Sequence, residues 1–125
     1  MTDTSTPPRM GANTVTDHST VTATGALATE LLDEARAAHS HRTARTLVSG
    51  TTLRSTLIAM TAETELAEHD SPSAGTLHVL SGTVLLRTPS RQWQVSDGDL
   101  ATLPPERHSV HAVTDAAMLL TVALH

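Results

Sequence analysis

Two short stretches, His69 to Gly82 and Gly98 to Ala112, constrain the fold of this chain more than any other feature. Each is a pair of strand-like runs around a turn, with a Gly at one end and a histidine near its polar end. In HDSPSAGTLHVLSG a polar loop feeds the apolar run Leu77-His78-Val79-Leu80, which stops at Ser81-Gly82. In GDLATLPPERHSV a Gly-Asp turn leads through Leu100 to Leu103, and Pro104-Pro105 ends that strand before His108 opens the next.

The same texture runs through most of the chain. Candidate strands are Ala44–Ser49, Leu53–Ala62, Glu65–His69, Thr76–Leu80, Thr83–Arg87, Gln92–Ser96, Leu100–Leu103, His108–Val113 and Ala117–Leu124, joined by turns bearing Gly, Pro, Asp or Ser. Thr88-Pro89-Ser90-Arg91 reads as a hairpin tip and Thr114-Asp115 as the turn before the last strand. Many short strands with short turns mean a sandwich or barrel. Before them, Ala26 to Ala38 carries a helical stripe of Leu27, Leu31 and Ala35, flanked by Ala28, Leu32 and Ala38 and opposed by Glu30, Glu34 and Arg36. Thr24 or Gly25 would cap it. The stripe is expected to cover an edge of its own barrel, with a partner subunit as the alternative. Residues 1–24, rich in Thr, Ser, Pro and Gly, offer too little burial to offset the entropy of ordering and read as a disordered tail. The expected organisation is therefore a tail over residues 1–24 and a single domain over 25–125.

Composition narrows the function classes. The chain has no Phe, no Tyr, no Cys and no Lys, and Trp93 is its single Trp. Its core must be Leu, Val, Ala and Met, while disulfides and thiolate metal sites are excluded. Trp93 is expected to plug that core, or else to contact a ligand at the barrel mouth. A formal charge of −5, with arginines scattered among acidic residues, offers no stripe for a phosphate backbone and argues against nucleic acid. No apolar run approaches the roughly 20 residues that span a bilayer, and the start lacks a signal peptide's basic and apolar regions, so a cytoplasmic protein is expected.

The two stretches resemble the two cupin motifs. The first motif is Gly, five residues, His-x-His, three or four residues, Glu, six residues, Gly; the second is Gly, five residues, Pro-x-Gly, two residues, His, three residues, Asn. Gly82 closes the first and Gly98 opens the second, with residues 83–97 as the short spacer typical of small cupins. Over about residues 44–124 the resemblance implies an all-β, double-stranded β-helix, the RmlC-like jelly-roll barrel, with one N-terminal helix outside it. It also implies a ligand set that this chain keeps only in part. Counting back from Gly82 puts the Glu position at Gly75 and the two His positions at Ser71 and His69. In the second motif Gly98 and Pro104 fall in place, Glu106 takes the Gly position, His108 arrives one residue early and Ala112 stands where Asn would.

Strand parity sorts the histidines. Position 75 shares a face with Leu77 and Val79, so His78 points away; His108, Val110 and Ala112 share a face, so His111 points away. His69 and His108, carried over from the resemblance, are the expected inward pair and the expected metal ligands, for Zn, Fe, Mn or Ni. Tight zinc sites use three or four protein ligands, and Asp70, Ser71, Glu68 and Glu106 are the candidates for the rest. Glu106 is also the candidate catalytic base. His18, His39, His41 and His125 read as solvated. Ser109 beside His108 lacks a nucleophile elbow, and Asp97-Gly98-Asp99 is a turn and not a calcium loop.

Two functions follow. One is a metal-assisted enzyme acting on a small organic substrate through a mononuclear site held by His69 and His108. The other is a non-catalytic, metal-free cupin that binds a small ligand in a pocket lined by Leu77, Val79, Val110 and Trp93, or lends its dimer to regulation. Either way the expected partners are a small molecule and, to cover the open strand edges, a second copy in a homodimer.

Overall fold

A computed structural model describes residues 20–69 and 74–124, apart from the side chains of Glu68 and His69. A single helix, α1 (Thr24–Ala37), precedes nine strands: β1 (Arg42–Ser49), β2 (Leu53–Met60), β3 (Glu65–His69), β4 (Gly75–Ser81), β5 (Thr83–Arg87), β6 (Gln92–Ser96), β7 (Leu100–Thr102), β8 (His108–Ala112) and β9 (Ala116–Ala123). Two antiparallel sheets face one another, in the orders β1-β2-β9-β4-β7 and β3-β8-β5-β6. This is the expected double-sheet barrel with one helix outside it.

Period-two alternation separates the inside of the barrel from its outside. Ile58 and Met60 of β2, Leu77 and Val79 of β4, Val84 and Leu86 of β5, Val110 and Ala112 of β8 and Met118 of β9 meet in one aliphatic core. The alternate residues of the larger sheet face outward, where Leu57, Ala59 and Ala117 pack under Ala28, Leu31 and Ala35 of α1. The helical stripe therefore covers the outer face of the sheet around β2, and not an edge. The helix starts behind Ala23, which provides no side-chain cap, so neither Thr24 nor Gly25 plays the capping role expected of it.

Two glycines fix the corners. Gly82 has φ +88, and a Cβ there would run into the Asp115 carbonyl oxygen and lie 2.8 Å from the Ala116 Cα. Only Gly fits that turn. Gly98 has φ +82 in the β6–β7 turn, which is tied across to the other sheet by Gly98 N–H to Val79 O (2.7 Å) and Val79 N–H to Asp99 O (3.0 Å).

Candidate functional site

The smaller sheet presents its inner face in transverse rows. Register pairs Leu66 with Val110, Val110 with Leu86, and Leu86 with Trp93, so these four form one row across β3, β8, β5 and β6. The next row toward the loops contains His108, whose register partner on β3 is His69. His108 thus sits at the end of the barrel where β3, β4, β7 and β8 start or stop. It is 1% exposed and shares the inner face with Val110 and Ala112, as strand parity predicts.

A buried imidazole needs partners. His108 Nδ1 lies 2.9 Å from the Glu106 carbonyl oxygen, which can only accept, so Nδ1 carries the proton and donates. The neutral ring therefore keeps its lone pair on Nε2. The tether comes from the turn after Pro104-Pro105, which folds back onto the ring two residues later. The Glu106 side chain, the expected base, is exposed; Glu106 acts on His108 through its main chain. That role carries no side-chain signal in the sequence.

Gly75 occupies the position of the motif's glutamate. It opens β4 on the inner face, paired with Val122. A Cβ there would lie 2.7 Å from Leu103 Cδ1 and 2.8 Å from the Thr121 carbonyl oxygen. Real Cβ atoms do not approach backbone that closely, so a carboxylate side chain is excluded as the strands now lie. Leu103, itself buried, fills the space. Among the described residues no three of His, Cys, Asp and Glu come together in a metal-binding group. Asp70, Ser71 and the side chains of Glu68 and His69 lie outside the described residues.

The apolar pocket residues divide. Leu77, Val79 and Val110 are closed into the core. Trp93, 36% exposed on the edge strand β6, is no core plug. It lines a groove of about 550 Å³ between β6 and β7, where the two sheets part, together with Leu86, Leu100, Leu103 and Pro104. Arg91 stands at its rim with the guanidinium carbon 5.0 Å from the centre of the indole ring.

The outward histidines are where parity puts them. His78 lies opposite Leu119 and Leu100 on the outer face. His111 Nε2 is 3.3 Å from Glu63 and its Nδ1 is 3.5 Å from Glu65. Glu63 is itself a departure that sequence counting could have found. Six residues before His69 the first motif calls for Gly, and Glu63 holds that place with φ +71.

No protein-family model matches the chain, and no curated protein does. Solved structures do. A conserved protein of unknown function from Streptococcus pyogenes is 26% identical with a TM-score of 0.64, over 70% of this chain and 78% of that one. An RmlC-like cupin from Shewanella frigidimarina is 16% identical with a TM-score of 0.61, over 67% and 77%. The salicylate 1,2-dioxygenase of Pseudoaminobacter salicylatoxidans, in complex with gentisate, is 17% identical with a TM-score of 0.66, over 78% of this chain and 32% of that one.

Proposed function

We propose that this chain, which has the fold of a small RmlC-like cupin, binds a small organic molecule at the loop end of its barrel with His108 as polar anchor. The observation that carries this reading is the tether from His108 Nδ1 to the Glu106 carbonyl. A fully buried imidazole on the inner face, fixed by that bond, is a polar, proton-exchanging group in an otherwise aliphatic interior. Leu103 and Leu86 supply apolar wall to the groove between β6 and β7, a lining that suits small ligands. The described residues alone give one inward imidazole, His108, and the carboxylate position at Gly75 is closed, so a divalent cation would need ligands from beyond them.

The test is nuclear magnetic resonance of the imidazole nitrogens during titration with a panel of small carboxylates and alcohols. His108 Nε2 should move while the outward His78 and His111 stay still. A panel that leaves His108 unmoved overturns the reading. One observation favours the metal-assisted alternative, namely the register pairing of His69 with His108. Calorimetry with zinc or nickel decides it: stoichiometric uptake lost in His108→Ala supports a two-histidine site, and heats no greater than dilution reject it. We also read the chain as a homodimer.

A further inference from the structure

The groove between β6 and β7 has a composition that selects among ligands. Resting on the small-molecule reading above, we infer that its occupant is a flat, apolar, monoanionic compound, an arylalkyl carboxylate in chemical class, with its ring against Trp93 and its anionic group at Arg91.

Three observations carry this. The first is shape and lining. About 550 Å³ between diverging sheets, walled by Leu86, Trp93, Leu100, Leu103 and Pro104, is ample for a one-ring or two-ring ligand and offers few polar partners to its body. The second is Trp93 itself. It shares the inner face with Leu86 yet stays 36% exposed, and a large aromatic surface left open in a concavity favours stacking with a planar partner. Leu100 of β7, 65% exposed, borders the same groove at its rim.

The third observation is charge. Arg91 is held over the indole at 5.0 Å, and among the described residues no carboxylate pairs with its guanidinium. The other charged residue of the groove, Asp99, is committed to its own turn: its Oδ2 accepts from the Ser96 N–H at 2.9 Å. One stacked cation with open donors at the rim of an apolar groove is complementary to one carboxylate. A dianion would meet Asp99, and a cation would meet Arg91.

The chain supplies its own reporter. With one Trp and no Tyr, all its intrinsic emission above 300 nm comes from Trp93. The full chain is titrated with 3-phenylpropionate, which is transparent at the excitation wavelength, and in parallel with 3-phenylpropanamide and with hexanoate. The expected result is saturable one-to-one quenching by 3-phenylpropionate, with binding about tenfold weaker for the amide, for hexanoate and in Arg91→Gln, and retained in Arg91→Lys. Equal binding of acid and amide, or no loss in Arg91→Gln, overturns the anion assignment and leaves the small-molecule reading standing. Saturable binding that is unchanged in His108→Gln keeps the present inference and removes His108 as anchor. No quenching and no calorimetric heat with any of the three compounds overturns the inference. So does a dimer that falls to monomer in Leu100→Ser and excludes all three, because the groove then belongs to a second copy of the chain.

Discussion

At the scale of single residues, the backbone decides more than the side chains. Glu63 holds a left-handed conformation that costs a non-Gly residue about 1 kcal/mol. Its side chain is largely exposed, so its contact with His111 offsets little. Glu63→Gly should therefore raise stability by about 0.5–1 kcal/mol in urea denaturation, with the midpoint moved and the slope unchanged. Gly75 works in the opposite sense. Overpacking a core costs about 1–3 kcal/mol, and here the obstacle includes the rigid Thr121 carbonyl. Gly75→Ala should lose about 2 kcal/mol or more, and Gly75→Glu should fail to create a zinc site by calorimetry even where it folds. Much of this was readable in the sequence: parity separated His108 from His111 and His78 from Leu77 and Val79, and the cupin resemblance turned His108 inward. The Glu106 tether was not, because it is a carbonyl, and any residue has one.

At the scale of elements, strand limits were legible because each apolar run is short and ends in a Gly, Pro, Asp or Ser turn. The observed β3, β5 and β6 have the bounds the pattern gives. What α1 packs against was not legible, since an apolar stripe does not name its partner. The structure shows what holds it in place. Asp115, in the β8–β9 turn, accepts from Arg36 Nε of α1 at 2.9 Å and from the Ala62 N–H after β2 at 2.9 Å. These bonds, the Ala62 N–H first and Arg36 second, hold its carboxyl below the usual aspartate range. Because the folded value lies below the unfolded one, the contribution is present above the unfolded pKa near 3.8 and is lost as pH falls through the folded value. Asp115→Asn should cost about 1 kcal/mol at pH 7, discounted for its exposure, and the gap to the native chain should close in urea denaturation as pH drops below about 4. Leu31, fully buried beneath the helix, anchors the same junction. Leu31→Ala should cost about 2–5 kcal/mol.

At the scale of the whole molecule, the order of strands within the two sheets depends on pairings far apart in sequence, such as β2 with β9 and β3 with β8, which local pattern does not reveal. That order leaves four edges, and they are not equivalent. β7 is three residues long, β3 is bulged between Leu66 and His69, and β6 borders the groove. β1 is different: it spans eight residues and, among the described residues, pairs only with β2. A long open edge is a template for another strand, and a second copy related by a twofold axis can supply one with the same register on both sides. The bulge between Thr46 and Val48 limits how far such pairing extends, which favours a closed dimer over an open chain of copies. Light scattering at roughly tens of micromolar should then give about twice the 13.2 kDa chain mass, and the β1 amides that do not bond to β2 should exchange slowly with solvent. A monomer mass, or rapid exchange at every outward β1 amide in a dimer, would show that this edge stays open and that the copies meet elsewhere.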